Sequence, residues 1–113
     1  TVVCDLPRRL TEATHVALDS ADLVVLVSRC DVRACAATAT LRPVLSAINP
    51  NVGLVVRGPA PGGLRPAEVA DIAGAPLLAS MRAEPGMAVR LEHAGLRLGR
   101  RSALATAARS VLA

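Results

Sequence analysis

The sequence predicts an α/β protein with a mainly parallel sheet flanked by helices. Short, largely apolar runs recur at residues 1–4, 23–27, 52–56 and 76–80. Between them lie segments whose apolar residues follow helical spacing. Strand and helix therefore alternate, as they must when parallel strands are joined by crossover helices. A length of 113 residues suits one domain covering the whole chain, 1–113, and not two.

Each element has a local reason. Residues 1–4 (TVVC) read as a buried strand ending at Asp5, with Pro7 stopping it. Residues 11–21 read as a helix capped by Thr11, with Glu12 in the first turn where an acid suits the helix dipole. The run LVVLV at 23–27 is apolar at every position, which predicts a strand covered on both faces. Asp31 is placed to cap a second helix, whose spacing runs from Val32 to Ile48. Pro43 lies inside it and predicts a kink or a break. Asn49-Pro50-Asn51 ends that helix with turn chemistry.

The third strand is VGLVV at 52–56, followed by the Gly- and Pro-rich loop RGPAPGGLRP. Pro66 suits the first position of a helix and Gly74 its end. A fourth strand is read at 76–80, a loop at 81–86, and a short helix at 88–94 stopped by Gly95. A last helix is read at 100–112, with Leu104, Ala107, Ala108 and Val111 as its apolar stripe. In such a sheet, ligands collect where the strands end. Asp5, 28–31, 57–63 and 81–86 fall on that edge.

Composition narrows the possible roles. At 52% hydrophobic residues the chain is not an intrinsically disordered one. It has no Phe, Tyr or Trp, so its core must be assembled from small contacts, and stacking on single-stranded bases is disfavoured. All 13 basic residues are Arg, and the net charge is +4. Arg8, Arg9, Arg29, Arg33, Arg57 and Arg82 lie near the strand ends. Each either keeps an Ala-rich surface solvated or meets a phosphate or a carboxylate. Cys4, Cys30 and Cys35 make no paired framework; Cys4 reads as core, and the other two as reduced thiols rather than metal ligands. No apolar run is long enough to span a bilayer, so no integral membrane segment is expected.

An apolar strand ending in Asp5 has the shape of a Walker B element, whose carboxylate holds a water on Mg²⁺ beside nucleotide phosphates. The same pattern also begins an ordinary turn. A Walker A motif is absent, and a chain without Lys cannot supply one. GPAPGG is no substitute, because its prolines remove donors that a phosphate cradle needs, and it reads as a plain loop. His15 and His93 show no spacing suited to a catalytic triad.

Four stretches together carry a resemblance. They are VVCDLPR, ALDSADLVVLVSRCDVRACAAT, VGLVVRG and LLASMRAEPGMAVRLEHAGLRL, in that order. They resemble the C-terminal half of the MinD/ParA superfamily of deviant Walker A P-loop ATPases, the CpaE/TadZ-like members in particular. The resemblance implies a P-loop NTPase fragment that lacks the P-loop half. The family's P-loop strand lies between the Walker B strand and the one at 23–27, so an apolar edge would be left unpaired here. In the complete protein, Asp5 would position the water on Mg²⁺, and Arg57 and Glu84 would flank the base of ATP. The family's adenine-contacting Asn is replaced by the run Val56-Arg57-Gly58. The implied role is regulatory: septum-site determination in cell division, or positioning of secretion or pilus machinery. It implies self-association, protein partners, contact with DNA or a membrane surface, and a cytoplasmic or peripheral location. The fragment alone would hydrolyse nothing. Two other classes fit the residues: a nucleotide-independent interaction scaffold, and a small flavodoxin-like enzyme holding another phosphate ligand.

Overall fold

A computed structural model describes residues 1–58 and 63–113. The elements are α1 (Glu12–Ser20), β1 (Val24–Arg29), α2 (Val32–Ile48), β2 (Val52–Arg57), α3 (Pro66–Ala73), β3 (Leu77–Met81), α4 (Met87–Ala94) and α5 (Ala103–Leu112). The middle of the loop read between the third strand and Pro66, residues 59–62, lies outside the described residues.

The three strands form one parallel sheet in the order β1-β2-β3. Central β2 is buried at every position from Val52 to Val56. Val52, Leu54 and Val56 alternate toward the helices. Leu54 and Val56 join Cys30, Cys35, Val69, Ala70, Ala73 and Ala75 in one cluster, and Val52 joins Leu18, Val24 and Leu45 in a second. Leu26 packs against both, so the two clusters are one continuous layer under α1, α2 and α3. Each fully buried Val or Leu contributes about 1.5–3 kcal/mol relative to exposure. With no aromatic side chain in the chain, this layer is thin and made of many such increments.

Helix ends follow the chemistry read from the residues. Thr11 Oγ1 accepts from Thr14 N at 3.2 Å, and Asp31 Oδ1 accepts from Ala34 N at 2.7 Å. Pro66 opens α3, and Gly74 closes it with φ 71°, a left-handed conformation that only glycine adopts freely. A kink or a break was expected at Pro43; α2 runs through it as a single 17-residue helix, so the chain does not break there. Proline in a helix interior costs about 3 kcal/mol. Here Leu45 is buried against Leu18, Val24 and Val52, and Leu41 and Ile48 pack on the same cluster, so burial on both sides of Pro43 offsets that cost.

Three expectations are corrected. Residues 1–4 form no strand; Val2 and Val3 are 88% and 82% exposed, and Cys4 is exposed rather than in the core. A strand is held by its neighbour, and the described fold offers residues 1–4 no neighbour to pair with. They are not paired with β1, which is an edge strand. Second, β1 is not covered on both faces: Val24 and Ser28 are buried, whereas Val25 is exposed and Val27 is 62% exposed. Third, the last helix begins at Ala103 and not at residue 100, because Ser102 caps it. Its inward residues are Leu104, Ala107 and Val111, while Ala108 faces out.

Asn49, at the end of α2, ties these pieces together. Its buried side-chain amide donates to the carbonyls of Leu18 and Ala21, both at 2.8 Å, and its Oδ1 accepts from Asn51 N at 2.9 Å. One amide thus joins the end of α1, the end of α2 and the entry to β2. Asn51 adds a bond from its own amide to the Asp22 carbonyl.

Two stability measurements follow. Asn49→Ala strands two carbonyls and one N–H, and urea denaturation is expected to show a loss of about 2–3 kcal/mol. Gly53→Ala places a Cβ 2.6 Å from Leu78 Cγ, and a loss of about 1–3 kcal/mol is expected from the overpacking. An unchanged denaturation midpoint for either variant contradicts its stated role.

Candidate functional site: an arginine-lined cleft at the strand ends

Parallel pairing brings the three strand ends to one edge. Arg29 stands beside Arg57, and Arg57 beside Met81. Backbone bonds continue the ladder past the strands, from Cys30 N to Arg57 O at 3.0 Å and from Gly58 N to Met81 O at 2.8 Å. The segments after β1, β2 and β3 therefore emerge together at the edge predicted for residues 28–31, 57–63 and 81–86, of which 59–62 lie outside the described residues.

A cleft of about 470 Å³ opens at this edge, lined by Gly58, Pro66, Ser80, Met81, Arg82, Arg101, Ala103 and Thr106. It lies where the ends of β2 and β3 meet the first turns of α3 and α5. Arg82 and Arg101 are exposed and make no ion pair or hydrogen bond among the described residues. Thr106 Oγ1 accepts from Arg109 Nη2 at 3.2 Å, and Arg109 also donates to the Arg100 carbonyl at 2.8 Å. Among the described residues the cleft lining contains no acidic side chain.

Glu84 explains the local charge. Its carboxylate accepts from the Ser102 hydroxyl and from Leu104 N at 3.1 Å, and pairs with Arg90 at 3.3 Å. Its side chain is only 17% exposed. It is thus a second cap on α5, reaching from the loop after β3 to the positive end of the helix dipole. The Ser102 hydrogen bond, helped by the Leu104 N–H and by Arg90, holds the Glu84 carboxyl below its usual range. Its charge is consumed internally and does not offset Arg82 and Arg101.

The sequence-derived site residues fall in different places. Arg57 ends β2 at the correct edge with its side chain exposed, and it is not part of the cleft lining. Glu84 is adjacent to the cleft but turned into the α5 cap. Asp5 lies in the exposed, irregular stretch 1–10, away from any strand. Of the cleft cations, Arg82 was legible as an edge residue. Arg101 was not, because its helix was read as starting one residue before it. The signal that would have found it is Ser102, a good N-cap followed by an apolar stripe.

Cys30 is buried, donates from Sγ to the Leu64 carbonyl at 2.7 Å, and accepts the Leu64 N–H on its own carbonyl at 3.1 Å. Burial, and then Cys35, Glu68 and Asp31, push its thiol up, so it remains a protonated structural donor and not a nucleophile. Among the described residues, no group of three or more His, Cys, Asp or Glu is placed to hold a metal ion. No helix among them is long and apolar enough to cross a membrane.

The fold and edge cleft define an α/β protein with a three-stranded parallel sheet flanked by helices, an arrangement compatible with a P-loop-like fold. No protein-family model matches the chain, and no solved structure matches it. The chain is 79% identical over 112 residues to uncharacterized proteins of two strains of Mycobacterium tuberculosis. The match covers 99% of this chain and 32% of those proteins, so the chain spans about a third of the length of the curated relatives it matches.

The Glu84 cap has a pH signature. Because its folded pKa is lowered, the stability it contributes is present above the unfolded glutamate value and is lost as pH falls through the folded one. Glu84→Gln is expected to lower stability at neutral pH and to flatten the acid limb of the stability–pH profile. Hydrogen exchange should quicken first in α5. A profile parallel to that of the parent would refute the cap.

Proposed function

We propose that this chain is one part of a MinD/ParA-like regulatory protein that places or restrains division or secretion machinery. Within that superfamily the reading points to proteins like the septum site-determining protein Ssd of actinobacteria, whose sequence this chain resembles. The observation that carries the proposal is the open side of β1. This strand is an edge strand, its outer face exposes Val25 and Val27, and the apolar residues Val2 and Val3 lie uncovered. A sheet that continues past β1 would pair its open edge, and the helices joining the added strands would cover Val25 and Val27; the resemblance supplies such a strand. A parallel sheet flanked by helices is consistent with that larger fold.

Within this reading ATP and Mg²⁺ belong to the complete protein only. Asp5 supplies one carboxylate, and Mg²⁺ bound with nucleotide phosphates needs only one or two from the protein. That role requires Asp5 to be held by a strand, which in turn requires a neighbour for residues 2–5. Arg57 is free to approach a base from the strand edge. Glu84 contributes by fixing α5 beside that edge.

A nucleotide-independent scaffold is the second reading, favoured by a different observation. No residue from 88 to 101 is buried. This arm exposes Val89, Leu91, Leu96 and Leu98 among Arg90, Arg97, Arg100 and Arg101. Apolar and cationic side chains so mixed suit an acidic protein partner.

Titration of Mg-ATP into the protein at its full natural length, with turnover measured alongside Asp5→Ala, separates the two. Saturable binding with turnover lost in the variant is expected for the ATPase. Absence of binding in both proteins discards it in favour of the scaffold.

A further inference from the structure

We infer that the cleft at the strand ends binds a small phosphate-bearing ligand through Arg82 and Arg101. This inference does not depend on the ATPase reading. The cations come from two separate elements, the segment after β3 and the segment before α5, and they converge on one cavity. Three arginines elsewhere pair with acids: Arg29 with Asp31 at 3.4 Å, Arg65 with Glu68 at 3.0 Å, and Arg90 with Glu84 at 3.3 Å. Others, Arg33 and Arg57 among them, make no ion pair among the described residues, but they do not line the cleft. Arg82 and Arg101 are left without an ion pair among the described residues, and the acid nearest in sequence, Glu84, is turned away into the α5 cap.

The rest of the lining suits the same ligand. Thr106 accepts from Arg109, so its own proton is free to be donated. Arg109 behind it adds a third positive charge. Ser80 offers a second hydroxyl, and Gly58 leaves its wall open for close approach of an oxygen. A guanidinium fork matches phosphate oxygens in pairs, and two forks with two hydroxyls exceed the donors that a single carboxylate can use. A volume of about 470 Å³ lies in the range of small-ligand sites. The cleft's own chemistry does not decide whether the phosphoryl group arrives on a nucleotide or on another metabolite, and the test has an arm for each.

The experiment is calorimetric titration of the full-length protein with pyrophosphate, ADP and adenosine at constant ionic strength. Each titration is repeated with Arg82→Gln, Arg101→Gln, the double variant, and Arg9→Gln as a charge-matched control outside the cleft lining. Hydrogen exchange over 80–84 and 101–106 locates the site and reports whether each variant remains folded. The inference expects pyrophosphate to bind, each cleft variant to weaken it about tenfold, and Arg9→Gln to leave it unchanged. Asp5→Ala should leave this binding intact, which separates it from any Mg-ATP site. ADP weakened in parallel with pyrophosphate identifies a nucleotide source, and pyrophosphate alone a different one; both support the site. Pyrophosphate binding indifferent to the double variant, no pyrophosphate binding at all, or adenosine binding as tightly as ADP would each overturn it.

Discussion

Everything in this molecule is arranged around the burial of β2. It is the one strand with neighbours on both sides, and five consecutive residues of it, Val52 to Val56, are removed from water. Parallel neighbours cannot be reached by tight turns, so each connection has to leave the sheet and return as a helix. Those helices then supply the cover that β2 requires. The layer under α1, α2 and α3 and the register of β1 and β3 are consequences of that single requirement. Without aromatic side chains the cover comes from Ala, Val, Leu and Cys, which explains why so few residues are fully buried and so many Val and Leu remain exposed.

Polar groups at the two ends of the sheet do different work. At the entry to β2, Asn49 satisfies carbonyls that α1 leaves behind, and locks the helix ends to the strand. At the exit, Cys30 and Glu84 act on segments that leave the sheet: Cys30 holds Leu64 beside the end of β1, and Glu84 holds α5 beside the end of β3. Both contacts lie at the exit edge, where Arg82 and Arg101 of the cleft make no ion pair among the described residues. Glu84 is engaged by the start of α5 and by Arg90, and no carboxylate pairs with Arg82 or Arg101 among the described residues.

The exposed apolar surface has a similar logic. Val25 and Val27 belong to a strand whose pattern is that of a sheet interior, yet its outer face and outer edge are open. Such an edge is a template for further pairing. The isolated chain therefore carries the features of a larger sheet on one side and a finished helical layer on the other.

What the residues by themselves determined was local. Thr11, Asp31, Pro66, Gly74 and Gly95 mark helix ends through hydrogen bonds or backbone geometry that involve only near neighbours, and each falls where its chemistry places it. The runs at 23–27, 52–56 and 76–80 became strands because apolar, β-branched stretches between helices have few alternatives. Tertiary structure decided whatever needed a distant partner. Residues 1–4 have the same local pattern as those strands but no strand beside them, so they stay outside the sheet and exposed. Pro43 failed to break α2 because the turns around it are buried against other elements. Asn49 read as turn chemistry, yet its amide spans nearly thirty residues or more to α1. The cleft was half legible: strand ends predicted the edge and Arg82. Arg101, Thr106 and the diversion of Glu84 into a helix cap depend on where α5 docks, and docking is a long-range packing outcome that no local spacing encodes.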